Sequence, residues 1–119
     1  MDWMPIGEGE LTSLIADAVA TMEQPARSLW SLLRVRPARW QQSPWGDEGG
    51  GFWVVGVLGE RAIWFNDIEW GFNISRYQTY GVIAEYVCNQ DELRHTMDSL
   101  SWEFENGEPP GPDARPPRR

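Results

Sequence analysis

Residues 52–66 read Phe-Trp-Val-Val-Gly-Val-Leu, then Gly-Glu, then Arg-Ala-Ile-Trp-Phe-Asn. Two runs rich in β-branched and aromatic residues, joined by a two-residue Gly-X link, are the pattern of a β-hairpin. Glycine at the first turn position supplies the positive φ that matches the twist of the flanking strands. The first run, Phe52 to Leu58, hardly alternates, which predicts a strand covered on both faces. Gly59-Glu60 is the turn, and Arg61 to Asn66 returns.

Working outward, Asp67-Ile68 leaves room only for another tight connection. Glu69 to Tyr77 then sets Trp70, Phe72 and Ile74 against Glu69, Asn73, Ser75 and Tyr77, a strand with one apolar and one polar face. Gln78 to Gly81 turns the chain, and Val82 to Cys88 predicts a further strand. Upstream, Leu29, Ser31, Leu33 and Val35 alternate with Trp30, Leu32, Arg34 and Arg36. That period of two predicts a strand over 28–36, which Pro37 ends or marks as an edge. Residues 41–50 have loop composition, and Gly49 to Gly51 read as a hinge into the next strand rather than a phosphate loop, because no helix follows.

Both ends read as helical. Leu11, Leu14, Ile15, Ala18, Val19 and Met22 share one helical face, and Pro25 marks the stop. Residues 1–9 read as a loosely ordered lead-in. Near the C-terminus Asn89 and Glu92 form a variant capping box that predicts a helix start. Leu93, Met97, Leu100 and Phe104 make its apolar stripe, and Gly107 its stop. The expected fold class is α+β: an antiparallel sheet of about five strands with an N-terminal and a C-terminal helix packed on it. Residues 1–107 form the single domain, and the Pro/Arg-rich stretch 108–119 is expected to be a disordered tail.

Composition narrows the function. The 119 residues carry 18 acids and 10 bases, a formal charge of −8. Such a chain is poorly suited to direct contact with nucleic acid, whose phosphates demand cations. Every base is Arg, which fits GC-rich codon use and suggests a bacterial source. One cysteine excludes an internal disulfide framework and a Cys-based zinc site. The start at Met1-Asp2-Trp3 lacks a basic, apolar leader, so the cytoplasm is the expected compartment, and no run of about 18 apolar residues predicts a membrane span. Eight tryptophans dominate whatever the chain packs or binds.

Catalytic patterns are sparse. Cys88 and His95 could form a nucleophile pair, against the plainer reading of Cys88 as a buried strand-end hydrophobe. No serine stands in a nucleophile-elbow pattern. Asp67, Glu69 and Glu85 could converge with His95 around a divalent cation beside a pocket of Trp64, Trp70 and Tyr86, or Asp67 is a turn residue and the two glutamates are a solvated face. Arg34, Arg36 and Arg39 are expected to pair with internal acids. On the second helix, Asp91, His95, Asp98, Trp102 and Glu105 lie opposite the apolar stripe. An indole amid acids resembles an interface hot spot, to be covered by the Pro-rich tail or by a partner. Trp40 and Trp45, in loop composition, raise the same question.

The segments Ile-Trp-Phe-Asn-Asp-Ile-Glu-Trp-Gly-Phe-Asn-Ile-Ser, Tyr-Gly-Val-Ile-Ala-Glu-Tyr and Cys-Asn-Gln-Asp-Glu-Leu, between residues 63 and 93, resemble small acidic bacterial immunity proteins, which neutralise a toxin encoded beside them. The likeness spans about a quarter of the chain and supplies no matched functional positions. It implies a non-catalytic cytoplasmic protein in a one-to-one complex with a toxin domain, often a basic nuclease. The residues expected to meet that partner are Glu69, Tyr77, Glu85, Asp91, His95, Asp98 and Trp102. No cofactor or metal is called for. The alternative is a small metal-dependent hydrolase or an aromatic-pocket binder using Asp67, Glu69, Glu85 and His95. An exposed edge near 28–36 could also pair with a second copy.

Overall fold

A computed structural model describes residues 3–107, so the tail expected over 108–119 lies outside the described residues. The chain runs α1 (Glu8–Thr21), α2 (Ala26–Leu33), β1 (Arg34–Trp40), β2 (Phe52–Leu58), β3 (Arg61–Asn66), β4 (Gly71–Arg76) and α3 (Leu93–Asn106). The strands form one antiparallel sheet in the order β1-β2-β3-β4. The fold is α+β with four strands rather than about five.

The hairpin at its centre forms as its sequence dictates. Gly59 takes φ +60, and β2 pairs Leu58 with Arg61 and Val54 with Trp64. A register shift between Val54 and Gly56 leaves Val55 as an extra residue. With it, Trp53 and Val55 both face the helices while Val54 and Val57 face the other side.

The helical face of the sheet is closed by all three helices. Leu11 of α1, Leu29, Trp30 and Leu33 of α2, and Leu93, Met97 and Leu100 of α3 pack on Val55, Ile63, Phe65 and Phe72. Glu8 and Glu10 occupy the first turn of α1, where negative charge complements the helix dipole.

The strand expected over 28–36 is a correction. Residues 26–33 are helix α2, and β1 begins only at Arg34. Alternation by two was the weaker of two patterns there. Ala26, Leu29, Trp30 and Leu33 also recur at i, i+3, i+4 and i+7, and these four are the residues that α2 buries. Leu32, placed inside by neither face, is 84% exposed. Pro37 lies within β1, an edge strand whose pairing is irregular between Arg34 and Ala38, a position where a missing N–H is tolerated.

The fifth strand over 82–88 is likewise absent. That segment carries an isolated bridge, Gln41 with Val82, and lies on the second face of the sheet, where Ile83 packs with Trp40, Phe52, Val54 and Trp64. Beyond the Ile83 N–H bond to Gln41 O, side chains hold it in place of a ladder. Asn66 Nδ2 donates to Val87 O, Ser75 Oγ to Glu85 O, and Asn73 both donates to Asn89 O and accepts from Asn89 N. The polar face assigned to β4 is therefore buried, with Asn73 and Ser75 each 2% exposed. Buried amides and hydroxyls need partners, and the overlying segment supplies them.

Two end assignments also change. Asn89 does not cap α3: the helix starts at Leu93 with Glu92 as its N-cap and no side-chain cap bond. Asn89 is instead held by Asn73. The lead-in is not loose over residues 3–7. Trp3 stacks on Phe52, Trp53 Nε1 donates to Ile6 O, and Ile6 N donates to Asp67 Oδ2. Gly107 closes α3 at φ +88. Phe104, expected in the apolar stripe, is 56% exposed. Among the described residues no helix is long and apolar enough to cross a membrane.

Candidate functional site

The turn between β3 and β4 builds the site. Asn66, fully buried, organises it by accepting the N–H groups of Ile68 and Glu69 at its side-chain oxygen and that of Trp70 at its carbonyl. These bonds curl the chain so tightly that Trp70 takes φ +65. Non-glycine residues rarely adopt that left-handed conformation, and it is costly for a bulky side chain. The result is an indole that stands half in solvent with its edge against Phe65, ring centroids 5.0 Å apart. Gly71 follows because a Cβ there would overlap Asn89 O and Gln90 Cα. Gln90 Nε2 donates to Glu69 O across the same junction.

Trp70 forms one wall of a groove of about 620 Å3. The second half of α1 provides Leu14, Asp17, Ala18 and Thr21, the sheet provides Phe65 and Phe72, and the segment entering α3 provides Asp91, Glu92, Leu93 and Arg94. The floor is apolar and the rim carries three carboxylates against one guanidinium. Arg94 Nε pairs with Glu92 at 3.4 Å. The side chains of Asp17 and Asp91 have no hydrogen-bond or ion-pair partner among the described residues.

The structure divides the residues expected to meet a partner. Glu69 and Asp91 come to the groove end, Glu69 in the turn and Asp91 in the groove itself. Tyr77 and Glu85 lie at the far end of β4: Tyr77 Oη donates to Gly59 O, and Glu85 Oε1 accepts the N–H of Arg76. His95, Asp98 and Trp102 are exposed on α3, away from its buried Leu93, Met97 and Leu100. They form one outward face, as their spacing implies. Asp17 was not expected at a site, Glu92 was expected only as part of a helix cap, and Trp70 only as a wall of an aromatic pocket with Trp64 and Tyr86. Asp17 looked like any polar residue on the outside of an amphipathic helix, and Trp70 fell on the apolar side of an apparent alternation.

The carboxylate cluster does not assemble. Glu69 and Glu85 are separated by the length of β4, and Asp67 belongs to the N-terminal strap. Among the described residues no three His, Cys, Asp or Glu side chains meet as metal ligands. The expected aromatic pocket does not form either, because Trp64 and Tyr86 pack on the face opposite the helices while Trp70 contacts Phe65. Cys88 is exposed rather than buried.

Burial pushes the Asp67 carboxyl above its ordinary value, against the lowering effects of the Ile6 N–H, its own backbone N–H, the nearby Trp3 indole and the Arg39 charge. Its Oδ1 is buried without a hydrogen bond, as is Trp3 Nε1. Among the described residues Arg39 forms no ion pair: it donates to Gly49 O and lies 4.4 Å over the Trp53 ring. Arg34 and Arg36 likewise take no ion pair among the described residues. Burial also raises the Tyr86 phenol. No protein-family model, curated protein or solved structure matches the chain, and the site is read from its own geometry.

Proposed function

We propose that this chain is a non-catalytic protein-binding module of the immunity type, which holds a basic protein, such as a toxin domain, and inhibits it by covering its working surface. The observation that carries the reading is the groove beside Trp70. A half-exposed indole, held in a costly backbone conformation, stands over an apolar floor next to Asp17 and Asp91, which have no ion-pair partner among the described residues. An aromatic anchor among charges is the composition of an interface hot spot. The net charge of −8 would speed encounter with a cationic surface, and desolvated aromatic contacts would slow dissociation.

The hydrolase alternative lacks support of this kind, since Asp67, Glu69, Glu85 and His95 do not come together as a metal-holding group among the described residues. The test is affinity capture of the tagged protein from its host's lysate at low and at high salt. A single basic protein retained at high salt in a one-to-one complex is the expected result. Nothing retained, or only proteins released by salt, would remove the reading, because purely long-range attraction is screened at high ionic strength.

A further inference from the structure

The groove has a chemistry more definite than that of an acidic patch. Its floor, made by Leu14, Phe65 and Phe72, offers apolar surface. Its rim places Asp17 and Asp91 where no described side chain neutralises them, while Arg94 is engaged by Glu92. Trp70 presents a half-exposed ring at the edge. We infer that the groove is the seat for an arginine side chain projecting from a loop of the protein partner.

Arginine has an aliphatic stem that gains by lying on apolar carbon and a planar head that binds carboxylates in a fork and stacks on indole. Lysine fits the charge but presents a compact, strongly hydrated point charge, so it loses the planar contacts. An anionic or neutral polar occupant would leave both aspartates uncompensated. A purely apolar one would cover them at a desolvation cost. The groove lies at the end of α1 opposite Glu8 and Glu10, so its carboxylates can be separated by experiment from the general negative charge of the molecule.

This assignment rests on the protein-binding reading, but its test needs no host partner. The probe is a short capped peptide with one central Arg among Gly, Leu and Ser, compared with versions carrying citrulline, Lys or Glu at that position. Binding is followed by amide and indole NMR shifts at moderate salt. The expected result is that the Arg peptide shifts the Trp70 indole and residues 66–72 and 90–94, with the Lys peptide weaker and the citrulline and Glu peptides silent. Trp70→Gly should weaken binding about tenfold, between the scales of an exposed and a desolvated cation–π contact. The double variant Asp17→Asn/Asp91→Asn should lose a comparable factor, whereas Glu8→Gln/Glu10→Gln, with the same change in charge, stays within about twofold.

No shift in the groove, equal shifts with citrulline, or equal losses in the two double variants would overturn the assignment. If the Arg peptide binds as described while lysate capture returns no partner, the groove assignment stands and the inhibitor reading falls. If capture succeeds and the peptide does not bind, the reverse holds.

Discussion

Trp70 and Trp64 show how differently one residue type can serve the same sheet. Trp64 is fully buried and donates its indole N–H to Ser75 Oγ at 2.9 Å. Replacing it by alanine should cost about 3–5 kcal/mol, as large buried aromatics do. Trp70→Gly loses an edge contact worth about 0.5–1.5 kcal/mol but relieves a left-handed backbone worth roughly 1–2 kcal/mol. The two effects offset, so Trp70→Gly should change stability by less than about 1 kcal/mol in urea unfolding. A loss as large as that of Trp64→Ala would mean that Trp70 is a core residue. Asp67 makes a second prediction at this scale. Its carboxyl is raised above the ordinary 3.8 by burial, so the folded state holds the proton more tightly than the unfolded one. Stability then falls as pH rises from the ordinary value through the folded value, and is level beyond it. Asp67→Asn keeps an oxygen for the Ile6 N–H and removes this dependence. The variant should therefore gain on the wild type in thermal melts as pH rises from about 4 towards neutrality. A difference that does not vary with pH would contradict the raised pKa.

Among the elements, the segment that follows β4 is held in place by polar side chains beneath it. Asn73→Ala would leave the buried-side N–H of Asn89 without its acceptor, at a cost of about 1–3 kcal/mol. Hydrogen exchange should quicken at Asn89, and unchanged protection there would show that the segment is held by Ile83 and Tyr86 packing alone. Gly71 secures the other end of the junction. Gly71→Ala forces a methyl into the backbone of Asn89 and Gln90, and about 1–3 kcal/mol of destabilisation is expected from such overpacking. Legibility in the sequence follows the same division. The hairpin 52–66 was readable because glycine and β-branched residues act locally. α1 was readable because a 3.6-residue period needs no knowledge of its partner. Residues 26–33 satisfied both a two-residue and a 3.6-residue period, and only packing on the sheet and α3 selects the helix. Residues 82–88 have strand composition, but their hydrogen bonds go to the Asn66 and Ser75 side chains and to Gln41 O, an outcome set by tertiary structure. The groove was least legible. Asp17, Trp70 and Asp91 come from three elements far apart in sequence, and only the turn at Asn66 brings Trp70 beside the other two.

At the scale of the molecule, the sheet is covered unequally. Three helices close one face with aliphatic and aromatic side chains. The other is closed by irregular segments rich in Trp, Tyr and Asn, so most of the tryptophan excess is accounted for by packing. Trp3, Trp30, Trp40, Trp53 and Trp64 are buried or half-buried, and Trp45, Trp70 and Trp102 are the exposed ones. Of these three, Trp70 lines a groove whose Asp17 and Asp91 have no ion-pair partner among the described residues. A net charge of −8 spread over such a surface favours a cationic partner without specifying where it binds, and the groove is the place we propose. Side-by-side capture from host lysate, at high salt, with the wild-type protein and with Trp70→Gly tests this most directly. The account predicts one basic protein in a one-to-one complex with the wild type and its loss from the variant. A wild type that retains no basic protein, or a variant that retains the same protein equally well, would contradict it.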